Sequence, residues 1–285
     1  MKTNRLMKYN HAWILAGPLW IALLTLGPCV SAATLTLAAI ADTSIFESKP
    51  DSNLGATTLV SGTNQAYSRS RSMFVFDLGA IPLDALITGV QVALYVTRQP
   101  DPDQHGGPVN SDFSLYRMLV SWGEGSGTDN TGSAAMAGDA TWNERHCAAD
   151  SWGTPGGLIG TDFASTPSAT MAIGGIGSYI WGSSSTLLDD VTIWQTHPAA
   201  NFGFMLLSQD EASLGSARRF GSKEQPGGAI APAQLLVTYT LAPEPEVASL
   251  WLLGLAGLAL RRARPQNLTI SSPSHMPRSA PSHPC

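Results

Sequence analysis

Cysteine is nearly missing from this chain: 285 residues contain three. Cys29 and Cys285 lie towards the two ends, so Cys147 is the sole thiol of the central region. No disulfide framework can hold that region together, and Cys147 reads as a small buried or half-exposed thiol. Charge is scarce too, at 13% of residues, and it is lopsided. Residues 34–242 carry nine Lys and Arg against nineteen Asp and Glu, a net of −10. So acidic a region repels a phosphate backbone and, on average, an acidic polysaccharide, unless a local basic patch or a bridging cation intervenes; nucleic acid is therefore not expected as a partner. Recognisable catalytic patterns are also lacking. His105, His146 and His197 fall in or beside loops, outside any catalytic motif, and the neighbouring Asp189 and Asp190 would diverge on a helix. No enzyme is expected.

What the chain has instead is turn chemistry and short alternating runs, with 28 Gly and 19 Pro. Val90, Val92, Leu94 and Val96 alternate with Gln91, Ala93, Tyr95 and Thr97, the period of a half-buried strand. Leu235, Val237, Tyr239 and Leu241 repeat it. Met73-Phe74-Val75-Phe76 is apolar on both faces and is expected to be a strand covered on each side. Further strands are expected over 34–40, 57–61, 113–119, 202–208 and 217–222. One short helix is expected over Leu187–Thr196, starting near Asp189 and Asp190, whose carboxylates suit a helix N-terminus. The fold class is therefore all-β, a β-sandwich or jelly roll with one short helix. Two long segments, Gln99–Ser111 and Gly123–Asp139, read as surface loops at one end of it, where binding residues usually sit.

The two ends read as processing signals. Residues 1–33 have the form of a secretory signal peptide: Lys2, Arg5 and Lys8, then an apolar stretch from Ala12 to Leu26, then Val30-Ser31-Ala32-Ala33. Towards the other end stand Pro243-Glu244-Pro245, an apolar segment over 247–260, and Arg261-Arg262. That segment is slightly short for the roughly 17–20 residues a membrane span needs, and arginines after it would stay cytoplasmic. The pattern over 243–264 resembles the PEP-CTERM sorting signal of exported Gram-negative proteins. The resemblance implies processing near Pro243–Pro245 by an exosortase-type enzyme after export through the secretion machinery. It also implies a transient inner-membrane association through 247–260 and a destination at the cell surface or in a polysaccharide matrix. Residues 265–285 form a Ser/Pro-rich tail, expected to be disordered and longer than is usual behind such a signal.

The domain between these signals, residues 34–242, has landmarks of its own. Asp42-Thr43-Ser44-Ile45, Pro50-Asp51-Ser52-Asn53-Leu54-Gly55 and Arg71-Ser72-Met73-Phe74-Val75-Phe76-Asp77-Leu78 come first. Ser121-Trp122-Gly123-Glu124, Ala140-Thr141-Trp142-Asn143, Asn201-Phe202-Gly203-Phe204 and Phe220-Gly221-Ser222-Lys223-Glu224 follow. In type and order the series resembles DNRLRE-type domains. That resemblance implies a jelly-roll β-sandwich without catalysis, some of whose relatives bind alginate-like polymers. The chain departs from the pattern in its two long loops and in having no attached enzyme domain.

Candidate ligand-binding residues follow from sugar chemistry. Pyranose faces stack on aromatic rings, and Trp152 and Trp181, in Gly- and Ser-rich surroundings, are the tryptophans expected to be exposed. Trp122 and Trp142 are expected to pack instead. Uronate carboxylates pair with cations, and Arg69, Arg71 and Lys223 are the candidates, with Arg218 and Arg219 extending the patch. Salt bridges with the abundant acids account for the same residues equally well. Asp101, Asp103 and Asp112 have spacing like that of an EF-hand loop and would suit calcium, with His105 and Pro102 against it; an ordinary solvated turn is the alternative. The expected function is that of an exported non-catalytic surface or matrix protein binding polysaccharide. The alternatives are a structural or adhesive protein binding proteins or itself and, more weakly, a polysaccharide-degrading enzyme.

Overall fold

The computed structural model describes residues 31–128, 132–224 and 231–241, together with 253–255 and 258. In chain order the strands are β1 (Ala32–Phe46), β2 (Ser52–Asn53), β3 (Leu59–Thr63), β4 (Arg69–Phe76), β5 (Leu86–Arg98), β6 (Ser111–Arg117) and β7 (Ser133–Ala134). They continue with β8 (Glu144–His146), β9 (Asp150–Ser151), β10 (Ala169–Ile173), β11 (Gly177–Trp181), β12 (Phe204–Ser208), β13 (Arg218–Phe220) and β14 (Gln234–Thr240). Between β11 and β12 lie one α-helix, α1 (Ser185–Thr196), and a 3-10 turn, Pro198–Ala200.

The chain is mostly β, built on a large antiparallel sheet. β5 has β11 on one edge and β14 and β13 on the other. A second run of strands goes β4–β12–β6–β10. β1 joins the two: Ala32–Ala38 pair with β14, and residues from Ala39 onward pair with β4. The change of partner falls at a register shift between Ala39 and Ala41, the kind of bulge that bends a strand and lets it leave one neighbour for another. Ile40, at that bulge, is exposed.

The alternation in β5 is as expected: Val90, Val92, Leu94 and Val96 are buried while the residues between them are not. With Phe220, Leu235 and Val237 they meet Phe74, Phe76, Phe113 and Phe204 from the other run of strands in one core cluster. Each such side chain contributes about 1.5–3 kcal/mol through burial. β4 is covered on both faces, because Met73 points away from Phe74 into a second cluster with Tyr116, Met205, Trp142, Trp152 and Phe163. A layer of loop structure from 140–163 therefore sits on the outside of β4, β12 and β6.

The helix begins at Ser185, about half a turn before the expected Leu187, and ends at Thr196 as expected. Ser184 is its N-cap, its Oγ accepting from the Leu187 amide at 3.0 Å, and no acidic residue lies in the first turn. Leu187, Val191 and Trp194, on one helical face, enter the core. Asp190 is buried by the same docking. The structure adds the short strands β2, β7, β8 and β9, and β10 and β11, which stand where Gly and Ser had hidden any strand signal.

Residues 1–30, which hold most of the expected signal peptide, lie outside the described residues. So do Pro243, Glu244, Pro245, Arg261, Arg262 and the tail 265–285. Ala32 and Ala33, at the end of the expected leader, open β1 and pair with Thr240 and Tyr239. Within 247–260, residues 253–255 and 258 are helical. Among the described residues, no helix is long and apolar enough to cross a membrane.

Candidate functional site: an arginine groove and an acidic corner

The tryptophans expected at the surface are inside. Trp181 is fully buried and Trp152 nearly so, and each indole N–H is used, Trp181 Nε1 donating to the Phe113 carbonyl and Trp152 Nε1 to the Thr141 carbonyl, both at 2.8 Å. The expectation of exposure is overturned because Trp181 ends a strand on its core-facing side and Trp152 belongs to the layer over β4. Neither ring is available to a sugar. Among the described residues the one aromatic side chain that is clearly exposed is Tyr67, 77% accessible on the turn between β3 and β4. Its backbone is left-handed, with φ +63.

The cationic candidates are paired. Arg69 binds Glu47 through Nε at 2.8 Å and Nη2 at 2.6 Å, in a pair that is more than a third exposed. Arg71 makes a two-point contact with Glu211, at 2.9 and 2.8 Å, and donates to the Gly156 carbonyl at 2.7 Å. Both guanidinium carbons lie 5.4 Å from a Trp142 ring centroid. Arg218, fully buried, donates to the carbonyls of Gly174, Gly215, Ser216, Ala217 and Val109 and so ties three loops together.

Asp101 and Asp103 share an exposed turn in which Asp101 is already occupied. Its Oδ1 accepts from the Asp103 amide at 3.0 Å and its Oδ2 from Gln104 Nε2 at 3.1 Å. Asp112 lies in β6, opposite Ala172 of β10. These three carboxylates do not form a metal-holding group among the described residues, because the turn closes on itself and the ladder holds Asp112 in the sheet.

The structure brings together a different pair of cations. Arg98, at the end of β5, is directly opposite Arg219 of β13. Like charges so placed weaken a sheet, and here burial first and Arg98 second draw the Arg219 guanidinium below its ordinary value. Arg98 makes no salt bridge among the described residues. Both arginines line two surface depressions, of about 240 and 490 Å³. The first is bordered by Asn64 and Gln65 of the β3–β4 turn and by Gln99, Asp101 and Gln104 of the loop after β5. Gln65 fastens that loop by donating to the carbonyls of Asp101, at 3.2 Å, and Gln104. The second is bordered by Thr57, Thr58, Thr97 and Thr128. Thr58 Oγ1 accepts from Arg219 Nη1 at 3.2 Å, while the buried Thr57 hydroxyl has no partner among the described residues. The two long loops singled out in the sequence thus both reach this groove. Its chemistry is two guanidiniums for a carboxylate or sulfate, amide and hydroxyl groups for sugar hydroxyls, and an exposed ring on the adjoining turn.

A few residues from Thr128 lies an acidic corner. Asp42, in β1, is fully buried; its Oδ2 accepts from the Lys223 amide at 2.8 Å and its Oδ1 has no partner among the described residues. Burial above all pushes this carboxyl up to about 7; the Lys223 amide opposes that, and the Glu224 and Glu124 charges add to it. Glu124 Oε1 accepts from the Asp42 amide at 2.9 Å and also meets Lys223 Nζ at 2.9 Å, while Glu224 Oε1 stands 3.5 Å from the same ammonium. The Glu124 hydrogen bond is the main reason the Lys223 ammonium is held above its ordinary value. Asn53 sets the loop that presents Glu124. Its Nδ2 donates to the carbonyls of Glu124 and Ala140 and to Thr43 Oγ1, and its Oδ1 accepts from the amides of Gly55 and Gly127. Gly125, at φ +79, lies so close that a Cβ there would sit 2.1 Å from Asn53 Oδ1.

Sequence reasoning passed over Arg98, and it read Asp42, Glu124 and Glu224 only as parts of larger landmarks. The available signal for Arg98 was its place at a strand end, ahead of a loop rich in Pro, Asp and Gly. Comparison with protein-family models and with curated proteins finds no match to this chain.

Proposed function

We propose that this chain is an exported, non-catalytic protein that binds an acidic polysaccharide along the Arg98–Arg219 groove, at the cell surface or in an extracellular matrix. The observation that carries the reading is the juxtaposition of Arg98 and Arg219 in a polar groove reached by both long loops. A repeating uronate or sulfated sugar supplies an anion for Arg98, which makes no salt bridge among the described residues, and its hydroxyls match the threonines and amides around it. The sheet arrangement is compatible with a jelly roll, which the DNRLRE-like landmarks also imply. Arg69, Arg71 and Lys223 contribute mainly by holding loops through their ion pairs.

The terminal sequences support a route to that location. A signal peptide over 1–33 directs export. Pro243-Glu244-Pro245, the apolar 247–260 and Arg261-Arg262 then serve an exosortase-type enzyme, with a transient hold on the inner membrane of a Gram-negative cell. Mass spectrometry of the exported form is expected to give a C-terminus near Pro243–Pro245; retention of Arg261 contradicts that route. Affinity electrophoresis of the full chain in gels containing alginate or a neutral glucan tests the binding itself. Retardation by alginate alone supports the proposal. No retardation in either gel, with self-association in solution, favours a structural or adhesive role instead.

A further inference from the structure

We infer that Asp42, Glu124 and Glu224 form a calcium site, in which Lys223 holds the cation's place when calcium is absent. One carboxylate oxygen from each of the three lies within 4.8 Å of the others, a spread that one ion with bonds of about 2.3–2.6 Å can span. An acidic cluster alone would not carry this reading. The second observation is the orphaned oxygen of Asp42, a fully buried residue whose Oδ1 meets no donor among the described residues. A buried carboxylate oxygen without a partner costs free energy unless a proton or a cation serves it. The segment that carries Lys223 and Glu224 has a second such group, the buried Ser222 hydroxyl, also without a partner among the described residues.

The donors are oxygens only, and they come from three separate segments: β1, the loop after β6 and the segment after β13. Such a set suits calcium, which accepts many oxygens in flexible geometry, better than magnesium, which demands a near-ideal octahedron. Lys223 Nζ reaches both glutamates, at 2.9 and 3.5 Å, from a side chain that is 31% exposed. The ammonium therefore has a free path outward when an ion enters. A calcium ion would tie the Glu124 loop to β1, and that loop leads to Thr128 at the groove. The inference does not depend on glycan binding, since the site is complete without the arginines.

The test is thermal unfolding and calorimetric calcium titration of the full chain after treatment with a chelator. Calcium at a hundredfold excess over its dissociation constant is expected to raise the Tm by about 5–10 °C, and magnesium at the same concentration by much less. Asp42→Asn and Glu224→Gln are each expected to abolish the rise. Lys223→Gln, which removes the competing ammonium, is expected to lower the half-saturating calcium concentration about tenfold. The inference is overturned if calcium gives neither heat nor a Tm shift to the native chain and to Lys223→Gln. It is overturned equally if both carboxylate variants fold and still respond as the native chain does.

Discussion

Asn53 Nδ2 donates to the Glu124 carbonyl at 2.8 Å, so that the short second strand fixes the shape of a loop far along the chain. The same amide serves four other groups in the buried space between them. Asn53→Ala leaves several of those without a partner and is expected to cost about 3 kcal/mol or more. Asn53→Asp is expected to cost a similar amount, because a carboxylate would face the Glu124 and Ala140 carbonyls where an N–H₂ now points. Urea unfolding of the two variants against the native chain checks both values.

Arg69 and Arg71 flank the same tryptophan, but their ion pairs differ in exposure. Arg71–Glu211 has side chains 11% and 17% accessible, whereas Arg69–Glu47 has 39% and 36%. Removing one partner of a buried pair costs about 3–5 kcal/mol, while exposed pairs are worth about 0–1 kcal/mol. Arg71→Met is expected to approach the first range and Arg69→Met to stay in the second. Equal losses from the two variants would show that burial does not govern these contacts.

Asp190 gives a pH dependence with a definite sign. Burial raises its carboxyl above the ordinary range in spite of Ser168 and Arg117, which hold it at 2.6 Å each, and Asp189 adds to the rise. The folded protein therefore keeps a proton at pH values where the unfolded chain has lost it. That contribution is full below the unfolded pKa, near 3.9, and is lost as pH rises through the higher folded value. Unfolding free energies measured between pH 3.5 and 8 are expected to show this fall in the native chain and a shallower one in Asp190→Asn. A profile of the same slope in both would remove Asp190 as its source.

Much of the sheet was legible because burial in a strand is local and periodic. Val90, Val92, Leu94 and Val96 announce their own face, and Met73 to Phe76 announce coverage on both sides. Trp152 and Trp181 were misread for the complementary reason. Gly and Ser around them describe how the backbone turns and say nothing of which side a ring faces once β11 pairs with β5. The groove was half legible: both bordering loops stood out by composition, but Arg98 and Arg219 become neighbours only through strand register. The acidic corner depends in the same way on three segments that meet only in the folded chain.

Arg98 carries the most direct test of the account, since it lines the groove and makes no salt bridge among the described residues. Calorimetric titration of alginate oligosaccharides into the native chain and into Arg98→Gln, with unfolding curves to verify that both are folded, measures its part. The account predicts at least a tenfold weaker dissociation constant for Arg98→Gln with stability unchanged or slightly raised, because a like-charge neighbour of Arg219 has gone. Undiminished affinity in a folded Arg98→Gln, or no binding by the native chain, contradicts it.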